Sequence, residues 1–548
     1  MIVATPAPPP TNEPSPAVRS ETLAERRQFA IVVTGAFAAV AVFNIFAHVL
    51  WRDEFRWWQF AVTSPTFAEM RAQMQYEGAP VLWYGALWLL ARVSANDLAM
   101  RLLHVLISTG TVFLFAWRAP FPRSARLLFP LGYYTLFEYT TIVRNYGLIF
   151  FLAVAAAALI SSPRRRPMWL GVVLFGLTQT NIWGVGIAGM LLLSALLEWT
   201  LLRSRERSVS WSVMTALGAV VVGGAVCCYV SSLPGPGENF LARWEADETF
   251  GRKFMLSVGR LWRGYVPIPL IKRTFWGSNI IDGPPVYRFV AACLVFATAA
   301  LVYLRRPAAL VPLALGSVGL MAFTFLFFVG HVRHDGLFYV LLIAAAWIGE
   351  TATRVSIPWP RLARINAWFE ARGGKLLMLL FVVQAIGGVG AAAADHFLPF
   401  SAGKRIAEYI DAELPSDITL VGYADYRAAT VGYYSGRPIH SIECLVDLPF
   451  FTQDDRLRVP GSTELLLERV EQLLERSPGD VLVILDPARD EELTAWCAAH
   501  PERAPPWERI GRISDATVED EASVLHRARR NRSGHDHGNV SRRGRSSD

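Results

Sequence analysis

The chain has 548 residues, of which 53% are hydrophobic and 18% are charged. This composition excludes an ordinary soluble protein and predicts a polytopic membrane protein. The formal net charge of +7 does not indicate nucleic-acid binding, because the arginines lie in short loops between apolar runs instead of forming one basic stripe.

The first apolar run, Phe29 to Leu50, ends in a charged and aromatic cluster. At about 1.5 Å per residue, the run is long enough to cross roughly 30 Å of hydrocarbon. Asp53 and Glu54 follow it and are therefore expected at a membrane surface, beside two arginines that are able to neutralise them. Residues 1–28 are rich in Pro, Ala, Thr and Glu and lack the apolar core of a signal peptide, which predicts a disordered cytoplasmic tail.

The arginines of the loops predict the topology. Pro80 to Val93 is about 14 residues long, which fits an interfacial or re-entrant helix better than a full span. If this segment stays on the outer surface, the arginine clusters around Arg123, Arg165 and Arg205 all face the cytoplasm, as the positive-inside rule prefers. About eleven transmembrane helices are then expected, with the amino terminus cytoplasmic and the carboxyl terminus outside. The predicted spans cover residues 29–50, 98–117, 127–143, 147–160, 168–182, 184–202, 213–230, 289–304, 310–329, 337–350 and 376–394.

From Phe397 the composition becomes that of a soluble domain. A transmembrane domain is therefore expected over residues 29–396, and a small outer-face α/β domain over residues 397–526. Residues 527–548, rich in Arg, Ser, His and Gly, are expected to form a disordered basic tail. Of the five cysteines, only Cys444 and Cys497 are candidates for a disulfide. The predicted elements of this domain are helices at 404–414, 462–476 and 490–499 and strands at 418–422, 480–485 and 507–513.

The paired carboxylates Asp53 and Glu54 suggest acid–base chemistry. As neighbours on a helix they point about 100° apart, so they do not flank one scissile bond as the carboxylates of a glycosidase do. One of them can act as general base toward an acceptor hydroxyl, in a transfer whose leaving group needs no protonation. A phosphate is such a leaving group.

A buried phosphate requires cationic donors, and three arginines lie near the predicted outer ends of spans: Arg101, Arg144 and Arg333. Each of them, taken alone, is also compatible with an interfacial arginine that reaches to water. His331 and His334 flank Arg333, but no third or fourth ligand lies nearby, so hydrogen bonding to a headgroup or sugar is favoured over a metal. No P-loop, dinucleotide fingerprint, serine elbow or CxxC motif is present.

Several short motifs share one predicted side of the membrane. They are Asp53-Glu54, Tyr76-Glu77-Gly78-Ala79-Pro80-Val81-Leu82-Trp83-Tyr84, Arg101, Arg144-Asn145-Tyr146 and, in the outer domain, Val431 to Pro438. Together they resemble the GT-C fold of polyprenyl-phosphate-sugar glycosyltransferases, with protein-mannosyltransferase-like, aminoarabinose-transferase-like and galacturonic-acid-transferase-like enzymes as the nearest relatives. The chain departs from many of these enzymes where Ala79-Pro80-Val81 replaces His-Pro-Pro.

The resemblance implies that Asp53 is the catalytic base, with Glu54 beside it. The expected contacts to the substrate or the donor phosphate are Arg333, Arg144, Arg101, His334, Tyr146 and Glu77. No cofactor is expected, and a divalent metal is the less favoured alternative.

The sequence therefore predicts an integral-membrane glycosyltransferase of the bacterial inner membrane. It would transfer a sugar from a polyprenyl-phosphate carrier to a lipid, glycan or protein acceptor on the outer face. A flippase or transporter for a lipid-linked glycan is the first alternative, although such a protein should place polar groups near the bilayer midplane. A catalytically inactive GT-C relative is the second. Besides the donor and acceptor, only membrane lipids are expected as partners, and the sugar and the acceptor stay open.

Overall fold

The computed structural model describes residues 21–74, 79–202, 209–233, 248–328, 330–423, 425–444, 447–448, 458–459, 461–518 and 521–530. The chain forms two compact units. The first comprises Met1–His48 and Trp57–Leu398, and the second comprises Val49–Arg56 and Pro399–Asp548. The short segment that carries Asp53 and Glu54 thus belongs to the second unit, together with the carboxyl-terminal part of the chain.

All regular secondary structure in the described residues of the first unit is helical. Its helices are α1 Leu23–Ala47, α2 Arg52–Thr63, α3 Phe67–Met74, α4 Val81–Ala91, α5 Asp97–Arg118, α6 Arg123–Leu128, α7 Tyr146–Ile160, α8 Pro167–Thr178, α9 Ile182–Leu196, α10 Trp211–Ser231, α11 Phe250–Tyr265, α12 Pro285–Tyr303, α13 Pro307–Leu310, α14 Ser317–Leu326, α15 Val332–Thr351, α16 Pro360–Glu370 and α17 Gly373–Phe397, with the first turn of α2 counted in the second unit. Within the described ranges, eight helical stretches are long and apolar enough to cross a membrane. Six are α1, α5, α10, α12, α15 and α17, and the other two are the stretches Ile182–Thr200 and Pro307–Leu326. Helices α4, α7 and α8 are shorter apolar helices. The prediction of a mainly helical, polytopic membrane protein is confirmed.

The predicted span over residues 127–143 is wrong in detail. Helix α6 ends at Leu128, a 3₁₀ turn follows at Phe129–Leu131, and a π-helix occupies Tyr133–Glu138. The break has a local cause, because Pro130 lacks an N–H and Gly132 adopts an extended conformation. Hydropathy alone does not report such a break. The chain then runs without α-helix from Tyr139 to Asn145.

Helix α15 lies at the centre of the first unit, and nearly all of its residues are buried. It is apolar nearly all round, as expected of a helix enclosed by other helices. Glycines allow its neighbours to approach closely. A Cβ at Gly264 of α11 would collide with the carbonyl oxygen of Asp335, and a Cβ at Gly336 of α15 would collide with the ring of Tyr134. The first turn of α15 is therefore held against α11 and against the π-helical segment.

The second unit contains a six-stranded mixed sheet in the order β3-β2-β1-β4-β6-β5. Strand β1 runs parallel to β2 and β4, whereas β6 runs antiparallel to β4 and β5. The strands are β1 Thr419–Tyr423, β2 Ile439–Ser441, β3 Asp447–Leu448, β4 Val481–Leu485, β5 Glu508–Ile513 and β6 Ser523–Ala528, and the helices are α18 Gly403–Glu413, α19 Asp425–Ser435, α20 Thr463–Arg476 and α21 Pro487–Ala499. The predicted α/β character of this part of the chain is confirmed, including Ser462 as the N-cap of α20.

Two expectations for this unit are corrected. The basic tail was expected to begin at Arg527, but β6 continues through Ala528 and pairs with β4. Arg527 also donates from Nε to Asp480 at 2.8 Å, so this arginine is an ordered part of the sheet. Residues 531–548 lie outside the described residues. Cys444 and Cys497 do not form the disulfide for which they were the only candidates.

Candidate active site

The candidate residues fall in both units. Arg101, Arg144, Tyr146, Arg333 and His334 belong to the first unit. Asp53 and Glu54 belong to the second, and Glu77 lies outside the described residues.

The structure brings Arg144-Asn145-Tyr146 together with the first turn of α15. The hydroxyl of Tyr139 donates to the carbonyl oxygen of Arg333 at 2.6 Å. The hydroxyl of Tyr146 lies 2.8 Å from Nε2 of His334, and the rings of Tyr139 and Tyr146 stack with centroids 6.0 Å apart. Three residues singled out in the sequence, Tyr146, Arg333 and His334, lie on segments almost two hundred positions apart and thus meet at the amino-terminal end of α15.

The hydrogen bonds around His334 determine the direction of its contact with Tyr146. The backbone N–H of His331 donates to Nδ1 of His334 at 2.8 Å, so Nδ1 carries no proton. The proton is therefore on Nε2, which donates to the oxygen of Tyr146. The O–H of Tyr146 must then donate to a different acceptor. A phosphate oxygen is an acceptor of the kind that this hydroxyl can serve.

Arg144 and Arg333 supply the positive charge of this cluster. Both side chains are half-buried, and both lie within electrostatic range of His334. The guanidinium of Arg144 is 5.3 Å from the ring centroid of Trp57, a cation–π distance. The amino-terminal end of α15 adds the positive end of a helix dipole. Two guanidinium groups and a donating hydroxyl at such a position are suited to a phosphate group.

Buried ion pairs fix the first turn of α15. Asp335 is fully buried, and its two carboxylate oxygens lie 2.8 Å from Arg260 and 3.2 Å from Arg263, both on α11. Arg260 also donates to the carbonyl oxygen of Gly330 at 2.9 Å, and Gly330 has a φ of 74°, a conformation that favours glycine. Losing either arginine would leave a buried charge poorly compensated. This network places Arg333, two residues before Asp335, in a defined position.

His104 of α5 fixes the other side of the cluster, and the sequence gave no reason to single it out. It is fully buried, with Nδ1 3.0 Å from the carbonyl oxygen of Thr140 and Nε2 2.8 Å from that of Arg144. Carbonyl oxygens only accept, so the ring N–H of His104 is the donor in this contact, and the tautomer decides which of the two oxygens receives it. Gly147 permits this approach, because a Cβ there would lie 2.9 Å from Nε2 of His104 and 2.7 Å from the carbonyl oxygen of Tyr139.

Glu138 is a second residue that sequence reasoning missed. This buried carboxylate ends the π-helix, and its Oε2 accepts from Nε1 of Trp276 at 3.0 Å and from the hydroxyl of Tyr133 at 3.3 Å. Its other oxygen, Oε1, has no hydrogen-bond partner in the described part of the chain. Glu138 lies within electrostatic range of Arg333 and directly precedes Tyr139. A buried carboxylate therefore lies close to the arginine cluster.

Arg101 has a different environment. Its guanidinium lies 2.7 Å from the carboxylate of Asp97 and donates to the carbonyl oxygens of Ile45 and His48 at 2.8 and 3.1 Å. It thus satisfies backbone acceptors at the carboxyl-terminal end of α1. Its contact with the donor phosphate stays a prediction.

His331 and His334 act together as a helix cap. They form reciprocal hydrogen bonds as residues N-cap and N3 of α15. In the described residues, no group of three or more His, Cys, Asp or Glu side chains is arranged to hold a metal ion.

In the second unit, Asp53 and Glu54 have unequal environments. Glu54 is buried, and its Oε2 accepts from the backbone N–H of Trp51 at 3.1 Å, which caps α2. The side chain of Asp53 is 24% exposed, with Oδ1 3.8 Å from Nε of Arg52. The backbone N–H of Arg52 donates to Glu521 at 3.1 Å. Glu54 therefore has a structural role in the helix, and Asp53 is the more accessible carboxylate.

The motif at Val431 to Pro438 contacts the segment that carries Asp53. Its two tyrosines lie on α19: the ring of Tyr433 stacks on Phe55 with centroids 4.7 Å apart, and the hydroxyl of Tyr434 donates to the carbonyl oxygen of Leu50 at 3.3 Å. The two contacts lie on either side of Asp53 in the chain. They give this motif a function within the second unit, namely to hold the first turn of α2.

Solved glycosyltransferase structures are similar to this chain. The crystal structure of ArnT from Cupriavidus metallidurans bound to undecaprenyl phosphate matches 91% of this chain and 98% of its own, with 12% identity and a TM-score of 0.44. The same enzyme in the apo state gives 13% identity, the same coverage and a TM-score of 0.45. The cryo-EM structure of the arabinofuranosyltransferase AftD from Mycobacteria gives 12% identity and a TM-score of 0.41, over 92% of this chain and 42% of that one.

The structural similarity to ArnT extends over about nine tenths of the chain. No protein-family model and no curated protein matches the sequence. Identities of 12–13% and TM-scores below 0.5 assign neither an activity nor a substrate.

Proposed function

We propose that the protein is an integral-membrane glycosyltransferase that takes a sugar from a polyprenyl-phosphate carrier and transfers it to an acceptor hydroxyl. The observation that carries the proposal is the cluster of Arg144, Arg333 and the donating hydroxyl of Tyr146 at the amino-terminal end of α15. A lipid phosphate presents the charge and the acceptor oxygens that these groups complement.

The proposed reaction is a single displacement at the anomeric carbon. The acceptor hydroxyl attacks this carbon while the carbon–oxygen bond to the carrier phosphate breaks, and the electron pair of that bond remains on the phosphate oxygen. Arg144 and Arg333 stabilise the negative charge that grows on the phosphate. The proton of the acceptor hydroxyl passes to Asp53, whose role rests on the motif resemblance and is supported by its greater exposure compared with Glu54.

The test is donor binding and transfer by purified protein in nanodiscs with a radiolabelled polyprenyl-phosphate sugar. Loss of one charge-assisted hydrogen bond costs about 1.5–3 kcal/mol, so Arg333→Ala should raise the donor Kd by roughly 10- to 150-fold. Arg333→Lys should recover little of this, because an ammonium does not form the paired contacts of a guanidinium. Arg361→Ala is the matched control, since Arg361 is exposed on α16.

The outcomes separate the competing functions. Transfer of label to an acceptor in an added extract of cell-envelope lipids and glycans, lost in Arg333→Ala and retained in the control, supports the enzyme. Movement of the intact donor across the bilayer of proteoliposomes without transfer would instead support a transporter. If Arg333→Ala binds the donor with wild-type affinity, Arg333 does not contact the donor phosphate and is an interfacial anchor.

A further inference from the structure

An apolar groove lies between α8 and α10, away from the cluster at α15. It has a volume of about 520 Å³, within the range of small-molecule sites. Its wall is formed on α8 by Gly171, Val172 and Phe175 and on α10 by Val213, Ala216 and Val220. Gly171 and Ala216 have small side chains that leave the groove open, and the groove is lined almost wholly by apolar side chains.

The groove begins at one end of both helices. Its lining starts at Pro167, the first residue of α8, and continues to Phe175, eight residues later. At 1.5 Å per residue this length is about 12 Å. The hydrocarbon core of a bilayer is about 30 Å thick, so one leaflet is about 15 Å deep. The groove therefore has the depth of one acyl chain within one leaflet.

Aromatic and basic side chains surround the mouth of the groove. Trp169 and Trp211 are 55% and 59% exposed, as expected of tryptophans in the headgroup layer. Arg164 and Arg166, immediately before α8, are exposed, and their side chains form no ion pair or hydrogen bond with the described part of the chain. Arg165, between them, donates to carbonyl oxygens of its own loop and stacks on Trp199. Two arginines at the mouth are thus oriented outward.

We propose that this groove binds an anionic phospholipid, with one acyl chain between α8 and α10 and the phosphate against Arg164 and Arg166. The charge at the mouth and the apolar walls complement the two parts of such a molecule. Basic sites between transmembrane helices are known to take anionic lipid headgroups. The first turns of α8 and α10 add to the positive potential, since neither helix has a side-chain N-cap hydrogen bond. The site is separate from the proposed transfer reaction and does not depend on it.

The test is native mass spectrometry of the full-length protein, delipidated in detergent and titrated with phosphatidylglycerol or phosphatidylcholine of identical acyl chains. Two variants address the two halves of the site: R164Q/R166Q removes the charge, and Ala216→Phe fills the groove from an exposed position. Each arginine near a membrane surface contributes about fivefold. We therefore expect the charge variant to weaken phosphatidylglycerol binding about 30-fold, and Ala216→Phe to weaken it at least tenfold.

Matched controls exclude general effects of charge and bulk. R361Q/R364Q removes the same charge from exposed positions of α16, and Ala219→Phe adds the same ring to an exposed position of α10 outside the groove. Both should bind phosphatidylglycerol within twofold of wild type. Equal retention of the two phospholipids, or equal losses in the controls, would overturn the proposal. Displacement of phosphatidylglycerol from the groove by polyprenyl phosphate at lower concentration would overturn the assignment to a phospholipid.

Discussion

Replacing His104 with alanine should reduce donor binding, although this residue lies behind the arginine cluster and not in it. The imidazole is the only side chain that we find joining the carbonyl oxygens of Thr140 and Arg144 among the described residues. Its loss frees the loop between the π-helix and α7. Arg144 then samples positions in which its guanidinium is farther from His334 and the first turn of α15.

The magnitude follows from the contact of the imidazole with the two carbonyl oxygens. A hydrogen bond contributes about 0.5–1.5 kcal/mol, and a buried carbonyl oxygen left unpaired costs about 1–3 kcal/mol. The hydroxyl groups of Ser108 and Tyr139 still hold the start of the loop and the first turn of α15, and absorb some of the loss. The apparent affinity for the donor decreases in proportion to the fraction of protein molecules whose loop is in the binding conformation. We expect the donor Kd to rise about 10- to 100-fold.

The assay is equilibrium binding of the polyprenyl-phosphate sugar, measured alongside the melting temperature. His104→Gln retains a donor for one of the two carbonyl oxygens and should give an intermediate Kd. Gly147→Ala is an independent perturbation of the same contact, because its Cβ would lie 2.9 Å from Nε2 of His104. Thr111→Val is the matched control, since Thr111 is a buried residue of α5 that bonds only within its own helix. A lower melting temperature with unchanged donor Kd in His104→Ala would refute the positioning role.

Three further predictions concern the second unit and the topology. Asp53→Asn should lower turnover by about 10²- to 10⁴-fold with donor binding intact, and Glu54→Gln should be milder; the reverse order in a transfer assay would move the base by one residue. Tyr433→Leu removes the stacked ring on Phe55, and should lower kcat while the donor Kd stays at the wild-type value; a change in Kd alone would contradict it. In a cysteine-free background, an impermeant maleimide should label a cysteine at Glu471 and not one at Arg164 in intact cells, and the opposite pattern would invert the proposed topology.

Much of the fold could be predicted because its signals are local. The N-cap serine of α20 and the buried runs of β1 and β4 lie within a few residues of the elements they specify. Arginine-rich composition misled at β6, where Arg527 pairs with Asp480 and the strand is completed by a distant neighbour. Hydropathy misled at residues 127–143, because the apolar run contains Pro130 and a π-helix that composition does not reveal.

The candidate site could be predicted only in part. Arg144 and Arg333 were predicted as candidates because isolated charges at the ends of apolar runs are conspicuous, and both lie within electrostatic range of His334. His104 and Glu138 were missed because their significance depends on partners far along the chain: the carbonyl oxygens near His104 are 36 and 40 residues away, and Trp276 is 138 residues from Glu138. Every residue has a backbone carbonyl, so the residue types do not show which carbonyl accepts a hydrogen bond from a side chain. Such contacts become visible only when the chain is folded.

The π-helix at Tyr133–Glu138 makes this site unusually sensitive to a change in chain length. A π-turn closes its hydrogen bonds over five residues instead of four, and so accommodates one residue more than an α-helical turn. Deletion of a single residue would shorten the π-turn to an α-helical turn, in which the side chains of the segment project in different directions around the helix axis. Glu138 would leave Trp276, and the hydroxyl of Tyr139 would leave the carbonyl of Arg333. Insertions and deletions here therefore act on the phosphate-binding cluster as strongly as substitution of the arginines themselves.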